Sequence, residues 1–390
     1  VAGWSGHFLD DTRATGNAKL AMKLLLPLSH LPDTRVQGSL QLLNNEVVLF
    51  NDMPPVQAAT GKVEFWERGV NLNAVGGTFV GGPLALAGGT QRDGAIQIRM
   101  GGAVSADGVR KTFPSPAMQR LSGHLSGSAR YTGAVEVRDH KVQVTVDSTL
   151  AGMGLDFPAP LKKPEADQLP LHFSIAGSPA GDGGISRDDI RIALGSAISA
   201  RYERQRQGRE PWRVLRGGIG VNTPAPEPDS GVMVNVNMKT LNVDQWVALS
   251  SSIAGPKGER AAPAAGGGLD LSSYIIPDVM AARANELIIG DRKLAEVVVG
   301  ASHQDDTWQA SIDSRQVSGH VTWAESPTGQ GLGKVTARLA SLIIPESAAE
   351  DVKDLLQADR GAAATIPGLD IVAERFELFN KQLGRLELLA

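Results

Sequence analysis

Residues that could do chemistry are thinly spread along this chain of 390 residues. The seven histidines are His7, His30, His124, His140, His172, His303 and His320. No two of them have the spacing by which a helix or a β-ribbon holds a metal ion, and cysteine is absent. The sequence therefore predicts no zinc site, no thiolate site and no cofactor.

Two acidic pairs, Asp188–Asp189 and Asp305–Asp306, could in principle act as paired catalytic carboxylates. Each pair is predicted to lie in a turn between strands, where aspartate bonds its own backbone. The sequence lacks a G-x-S-x-G nucleophile elbow, and its glycine clusters lack the strand–glycine–helix context of a phosphate loop. We therefore expect that the chain is not an enzyme.

One basic cluster, RYERQRQGREPWR (201–213), places Tyr202 and Trp212 among arginines. It can be interpreted as a solvated hairpin tip, or as a contact with anionic lipid headgroups or with a partner. The net charge of the whole chain is −4, with 38 basic and 42 acidic residues. Without a cationic field, nucleic acid is not an expected partner.

The elements that must position these residues are predicted to be β-strands, because apolar and polar residues alternate along most of the chain. The segments 61–75 and 133–146 each predict a hairpin, and 35–50 predicts another with its turn at Asn44 and Asn45. Consecutive hairpins form an antiparallel meander. The predicted fold is mostly β: a long, curved antiparallel sheet that forms a repeating β-groove, with a few short helices.

Helices are predicted at only two places. The segment 345–359 begins with a capping box formed by Ser347 and Glu350, and 242–253 is a second candidate of a turn or two. An internal echo also occurs, since ARANEL at 282–287 and AERFEL at 373–378 each follow an Ile-Pro pair and precede a further strand. The echo predicts a repeated unit of roughly 90 residues.

Two stretches rich in proline, glycine or alanine interrupt the strands. Residues 222–231 are predicted to be a mobile loop, and 255–268 a flexible insert. The strand pattern resumes unchanged after each stretch. We therefore predict one β-groove segment over 1–221 and its continuation over 232–390.

A sheet with one apolar face must cover that face with a second sheet, with helices or with something that is not protein. Helices are few and aromatic residues are 5% of the chain, so a groove lined by aliphatic side chains is favoured over a set of β-sandwiches. The expected guests are phospholipid acyl chains. The predicted lining residues are Val63, Phe65, Ile96, Ile98, Val142, Val144, Val146, Leu155, Phe157, Val234, Val236, Met238, Leu287, Ile289, Val297 and Val299.

The segment 150–163, LAGMGLDFPAPLKK, leaves its strand with apolar residues and two prolines. Leu155 and Phe157 could cover an open sheet edge or narrow the mouth of the groove. They could equally fill a core where the chain crosses between two sheets. Both interpretations stay open at this point.

Two blocks, 122–173 and 275–323, resemble the YhdP branch of the AsmA-like proteins of Gram-negative envelopes. The most specific element is L-x-G-x-x-x-D-x-P-A-P-L-x-K, which runs from Leu150 to Lys163. The resemblance implies a periplasmic protein, anchored to the inner membrane, whose β-groove conducts phospholipids toward the outer membrane. It implies no catalytic residues.

Within that implied role, we expect this chain to be a piece of a longer protein, because it starts with Val1 and ends within a strand pattern. Contacts with the inner and outer membranes would then be made by other parts. The alternative function is a non-enzymatic envelope scaffold or assembly chaperone that binds proteins at its sheet edge.

Overall fold

β-Strands dominate the structure, as the alternating pattern predicts. The computed structural model describes residues 12–25, 35–49, 53–139, 141–178, 184–208, 210–254, 272–290, 292–304, 307–324, 333–345 and 368–389. These residues contain 22 strands and four short helices. The prediction of a mostly β protein built largely from consecutive hairpins is therefore confirmed.

The chain divides into two units. Unit 1 comprises Val1–Leu215 and Ser252–Ser273, and unit 2 comprises Arg216–Ser251 and Tyr274–Ala390. The strands from the start of the chain through Leu215 are β1 Arg13–Thr15, β2 Ala18–Leu25, β3 Arg35–Val48, β4 Val56–Trp66, β5 Gly69–Phe79, β6 Gly82–Thr90, β7 Ile96–Ser105, β8 Leu125–Arg138, β9 Lys141–Ser148, β10 Met153–Leu155, β11 Leu171–Ser178, β12 Ile185–Leu194, β13 Ile198–Gln207 and the beginning of β14 Arg213–Val221. The later strands are β15 Gly231–Asn242, β16 Val279–Ile289, β17 Arg292–Gln304, β18 Thr307–Asp313, β19 Val317–Ala324, β20 Lys334–Ile344, β21 Gly368–Leu378 and β22 Lys381–Leu389.

Unit 1 is an antiparallel meander in which each strand from β2 to β9 pairs with the next. The ladder then passes from β9 to β11, β12 and β13. The three-residue β10 instead pairs with the first residues of β8. The hairpins predicted over 61–75 and 133–146 are both present, as β4–β5 and β8–β9.

The hairpin predicted at Asn44 and Asn45 is wrong, because β3 runs straight through these residues. Asn44 has a positive φ of 64°, and the register with β4 shifts between Leu43 and Asn45, so the two asparagines form a bulge. The buried Asn45 side chain accepts a hydrogen bond from the Leu43 N–H at 2.7 Å and donates one to the Thr15 carbonyl at 2.9 Å. The polar pair therefore stabilises an irregular strand rather than a turn.

The sheet of unit 1 bends at β6. Some Cα atoms of β5 and β7, which lie on either side of β6, approach to within 8 Å. In a flat sheet, next-nearest strands lie about 9.6 Å apart. Glycines such as Gly88, with a φ of 133°, allow this local departure from ideal strand geometry.

Unit 2 contains three parallel pairings that the hairpin pattern did not predict: β14 with β15, β15 with β16, and β20 with β21. In two of them the second strand carries the repeated sequence, since ARANEL lies in β16 and AERFEL lies in β21. Each of these strands then pairs antiparallel with its successor, β17 or β22. The internal echo in the sequence thus corresponds to a repeated topology. In each copy the strand that carries the echo pairs in parallel with the preceding strand and forms a hairpin with the following one.

Four helices lie in the described residues: α1 Ala106–Thr112, α2 Pro116–Ser122, α3 Val243–Ala254 and α4 Ser272–Ile275. The helix predicted over 242–253 is confirmed as α3, which is longer than the turn or two expected. The helix predicted over 345–359 and the insert at 255–268 lie outside the described residues, apart from Pro345. The hydroxyls of Ser105 and Ser115 cap the first two helices by accepting hydrogen bonds from Gly108 N–H and Met118 N–H.

The segment 222–230 connects the parallel strands β14 and β15 by returning along β14. A Cβ atom built at Gly218 would overlap the Pro226 carbonyl oxygen, and one at Gly220 would overlap the Thr223 carbonyl oxygen. The glycines therefore permit a close backbone approach that any side chain would obstruct. Whether this segment is mobile, as its composition predicts, stays a prediction.

Candidate functional site

A row of directly opposed apolar residues crosses eleven strands of unit 1. Each member pairs with the next across the ladder, so all of them lie on one face of the sheet. The row consists of Leu20, Leu40, Val63, Leu72, Gly88, Ile98, Val135, Val144, Ile175, Ile190 and Tyr202. We call this side of the unit 1 sheet its apolar face.

The next residue along each strand points to the other face, and there the composition reverses. This second row contains Ser39, Glu64, Asn71, Gln97, Glu136, Gln143, Asp189 and Glu203, interspersed with Ala21, Gly89 and Ala176. We call this side the polar face. Period-two alternation therefore places the hydrophobic side chains of eleven strands on one face.

The apolar face is not fully buried. Val63, Ile98, Val144 and Ile175 are only partly buried, and Leu20 is 61% exposed. Branched aliphatic side chains would normally be withdrawn from water more completely in a closed core. Partial exposure along a registered row is what a surface open to an apolar guest would show.

Unit 2 has an equivalent row across nine strands. It consists of Val221, Val236, Ala282, Val299, Ile312, Gly319, Leu339, Ala373 and Leu386. The adjacent row on the opposite face includes Asn235, Ser311, His320, Arg338 and Glu387. The unit 2 row contains smaller residues than the unit 1 row, since three of its nine members are alanine or glycine.

The predicted lining residues fall into three groups according to their position in the sheet. Members of the two rows, or residues two positions away on the same strand and hence on the same face, are Val63, Phe65, Ile96, Ile98, Val142, Val144, Val146, Val234, Val236, Met238, Val297 and Val299. Leu155 and Phe157 lie in and after β10. Leu287 and Ile289 lie among the last residues of β16. The paired strand β17 is irregular beside this stretch, at Glu296, whose φ is 55°.

Burial differs sharply within this set. Ile96 is 6% exposed, Leu287 4% and Val297 1%, whereas Ile289 is 45% exposed. Leu287 and Val297 form a buried cluster with Ala284. Shared face alone therefore does not make a residue accessible, and lipid contact by any of these residues stays a prediction.

Several row members were not predicted from the sequence. Leu40, Leu72, Val135, Ile175, Ile190 and Tyr202 complete the row in unit 1, and Ile312, Leu339 and Leu386 extend the one in unit 2. Each of them has at least one polar neighbour along its strand, so the period-two signal was present. What the sequence lacked was the register, which decides which strand positions face each other.

Residues 150–170 cover one end of the apolar face of unit 1. Leu150, Met153 and Leu155 are buried and pack with Ala129 in one cluster, and Phe157 is among the partly buried residues against it. The Val104 and Leu171 side chains, where β7 ends and β11 begins, contact the same cluster. The segment therefore covers the ends of strands within a single sheet. This packing favours the interpretation as a cover over the interpretation as a core between two sheets.

A buried lysine secures this covering segment. Lys163 is 5% exposed, and its Nζ donates to the Pro164 carbonyl at 2.9 Å and the Asp167 carbonyl at 2.8 Å. Its backbone forms a bridge with Leu155, since each N–H donates to the other's carbonyl. The lysine therefore ties the apolar stretch into a closed local loop.

The prediction that Asp188–Asp189 lies in a turn is wrong, because both residues lie inside β12. Asp189 accepts hydrogen bonds from Arg201 and Arg191 on the polar face, each within 3.0 Å. Burial alone would raise the pKa of the Asp189 carboxyl, but the hydrogen bonds from Arg201 and Arg191 outweigh it and lower this pKa below its ordinary value of 3.8. The pair Asp305–Asp306 lies outside the described residues.

Asp188 lies on the apolar face, where it binds Arg204. Arg204 Nε and Nη2 lie 2.9 and 2.8 Å from Asp188 Oδ2, and the two side chains are 13% and 10% exposed. Trp212 lies close to this pair, with the Arg204 Cζ 4.3 Å from its ring centroid. The basic cluster is therefore partly buried and is not simply a solvated hairpin tip.

Two histidines among the described residues pair with polar side chains across strands. His172 Nδ1 lies 2.7 Å from Asp147 Oδ1, and His320 Nδ1 lies 2.9 Å from Ser311 Oγ, in each case as a cross-strand pair of exposed residues. Within the described residues, acidic and histidine side chains form no group of three or more that could ligate a metal ion. The described helices are all too short or too polar for a transmembrane span.

A protein-family model described as "YhdP protein" matches residues 1–390 of the chain. Neither a curated protein nor a solved structure matches it. The match covers both units and all of the apolar rows.

Proposed function

This chain belongs to the YhdP family of AsmA-like envelope proteins, and we propose that it is a segment of a periplasmic bridge that carries phospholipids between the inner and outer membranes. In this role the apolar faces shelter acyl chains and the polar faces contact water. The chain acts without catalysis and without a cofactor.

The observation that supports this proposal is the registered apolar row of unit 1. Eleven strands at about 4.8 Å spacing give a row about 48 Å long. The hydrocarbon layer of one membrane leaflet is about 15 Å deep, half of a core of about 30 Å. The row is therefore about as long as three acyl chains placed end to end.

The energetics favour hydrocarbon over water on this face. Each methylene group transferred from water to an apolar surface contributes about 0.8 kcal/mol. Because contacts along the row are aliphatic and non-directional, a chain could shift from one strand to the next without breaking a specific bond. Such a surface suits transport better than tight storage.

The decisive experiment is native mass spectrometry of the 390-residue chain purified after export to the periplasm of a Gram-negative host. We expect bound species with phospholipid masses, released by organic extraction and identified by their headgroups. A correctly folded chain that carries no lipid, and takes up none from vesicles, would contradict the proposal.

A second candidate function, binding of other proteins at a sheet edge, is favoured by β2. Among the described pairings this strand bonds only to β3, and its Leu20 and Leu25 side chains are 61% and 58% exposed. An exposed apolar edge can accept a strand from a partner. Lipid-free protein that nevertheless binds an added β-strand peptide at Leu25 would favour this scaffold role.

A further inference from the structure

Three aromatic side chains form a row at one end of the apolar face of unit 2. His303 pairs directly with Trp308, and Trp308 pairs directly with Trp323, on the neighbouring strands β17, β18 and β19. Each of the three lies one residue from the end of its strand. We call these three residues the aromatic rim.

The aromatic rim lies on the same side of the sheet as the apolar row of unit 2. Trp308 comes four residues before Ile312, and Trp323 comes four residues after Gly319. Ile312 and Gly319 are paired members of that row. Side chains an even number of residues apart on a strand share a face. The rim therefore extends the apolar face to the strand ends.

The rings of the rim are packed together but are not withdrawn from solvent. His303 and Trp308 stack, with their ring centroids 4.8 Å apart and their planes inclined by 26°. Both residues are partly buried, and Trp323 is 37% exposed. Indole rings are favoured at a boundary between hydrocarbon and water, because the ring is apolar and its N–H is polar.

An accessible aliphatic track leads away from the rim along β18 and β19. Ala310 and Val321 form its first pair, Ile312 and Gly319 form its second, and all four are only partly buried. Ile312 lies about 13 Å from Trp308, at about 3.3 Å per residue. The hydrocarbon of one membrane leaflet is about 15 Å deep, half of a core of about 30 Å. The track is therefore close to the length of one acyl chain.

The strands on either side of the track are more fully buried at its first pair. Ala301, which pairs with Ala310, is 8% exposed, and Ala337, which pairs with Val321, is 4% exposed. The accessible surface next to the rim is thus centred on β18 and β19.

We propose that unit 2 holds a phospholipid with its glycerol ester region against the aromatic rim and an acyl chain along β18 and β19 toward Ile312. This inference rests on the proposed function, to which it adds the position and the direction of the bound lipid. The indole rings suit the ester region, since that region lies between hydrocarbon and water. The headgroup then lies beyond the strand ends, in solvent.

The test measures quenching of tryptophan fluorescence in the 390-residue chain after lipid uptake from phosphatidylcholine vesicles. The vesicles carry a nitroxide either on the lipid headgroup or near the end of one acyl chain. The contribution of Trp323 is the difference between wild type and Trp323→Phe. We expect the headgroup nitroxide to quench this contribution about threefold more strongly, because the chain-end nitroxide lies about 13 Å further along the strands.

Trp66 provides the matched control, because it is also 37% exposed. It lies on the polar face of unit 1, two residues after Glu64 on β4. The contribution of Trp66, measured in the same way with Trp66→Phe, should be quenched little by either nitroxide. Quenching of Trp66 as strong as that of Trp323 would show unspecific lipid adsorption and overturn the inference.

The remaining outcomes separate this inference from the proposed function. Lipid uptake in which the chain-end nitroxide quenches Trp323 as strongly as the headgroup nitroxide, or more strongly, overturns the inference and leaves the proposed function standing. Native mass spectra that show no uptake of lipid overturn the proposed function and this inference with it.

If Trp323→Phe lowers the midpoint of thermal unfolding, photocrosslinking of wild-type protein replaces the quenching experiment. The bound phospholipid carries a diazirine at the headgroup or at the chain end, and mass spectrometry identifies the modified peptides. We expect headgroup crosslinks at Trp308 and Trp323, and chain-end crosslinks at Ile312 and Gly319. The reverse assignment overturns the inference.

Discussion

Asp188 and Asp189 are consecutive in β12, yet their carboxylates bind arginines on opposite faces of the sheet. Asp188 Oδ2 lies 2.8 Å from Arg204 Nη2, and Asp189 Oδ2 lies 2.8 Å from Arg201 Nη2. Arg201 and Arg204 are three residues apart on β13, so they too point to opposite faces. A slip of one residue between β12 and β13 would break both pairs, and the two aspartates therefore fix the register in which the apolar row forms.

Charge on the apolar row should block lipid binding without unfolding the protein. Val144 lies in the row between Val135 and Ile175, while the next residue, Thr145, lies on the polar face between Ala134 and Ser174. We expect Val144→Glu to lose most bound phospholipid in native mass spectra, because a carboxylate on the acyl path must be desolvated.

Thr145→Glu is the matched control, because it adds the same charge one residue away. It should retain wild-type lipid, and circular dichroism should show folded strands in both variants. Equal lipid content in the two variants would show that hydrocarbon does not lie on the face of Val144.

Two predicted lining residues on one strand should differ in their effect on stability. Leu287 is 4% exposed within a buried cluster, and Ile289 is 45% exposed. We expect Leu287→Ala to lower the free energy of unfolding by about 2–5 kcal/mol, because it leaves a cavity. Ile289→Ala should cost less than about 1 kcal/mol.

Urea unfolding at equal protein concentration measures this difference. Both variants should be compared in lipid-free form, so that loss of a bound guest does not contribute. A larger loss of stability in Ile289→Ala than in Leu287→Ala would contradict the burial of the Leu287 side chain.

Close approach of the segment 222–230 to β14 makes Gly218 intolerant of a side chain. A Cβ atom there would overlap the Pro226 carbonyl oxygen. We expect Gly218→Ala to destabilise the protein by about 1–3 kcal/mol, because the returning backbone must move.

Gly300 in β17 provides the control, since no described heavy atom lies within 4 Å of a Cβ built there. Gly300→Ala should leave the thermal unfolding midpoint unchanged or slightly raised. If Gly218→Ala were equally neutral, the returning segment would not be packed against β14.

The strand content and the two-faced sheet were predictable from the sequence because alternation is a local property. Val142, Val144 and Val146 alternate with Gln143, Thr145 and Asp147, and this signal needs no knowledge of the partner strand. The hairpin over 133–146 was predicted for the same reason, since polar residues separate two alternating runs.

Tertiary context decided the features that were missed or mispredicted. Asn44 and Asn45 resemble a turn, but bonds from Asn45 to the distant Thr15 and to Leu43 hold them in a strand. Asp188 and Asp189 also resemble a turn, but arginines from β13 compensate their charges within the sheet. The parallel pairings depend on connections longer than a hairpin, which a period-two pattern does not encode.

The two arginines bound to Asp189 should make stability depend on pH through this carboxyl group. Its pKa is lowered below the ordinary value of 3.8, so ionised Asp189 stabilises the folded state above that pH. This contribution disappears as the pH falls from 3.8 through the lower folded-state pKa. We expect Asp189→Asn to be less stable than wild type at pH 7, by about 0.5–1 kcal/mol. The difference should vanish below the folded-state pKa of Asp189.

Urea unfolding of both proteins at pH 7, at pH 5 and below pH 3.8 measures this difference in stability. Asp229→Asn, at an exposed position, is the control for removal of one negative charge. A difference between Asp189→Asn and wild type that stays constant to the lowest pH would show that Asp189 acts through packing rather than through its charge.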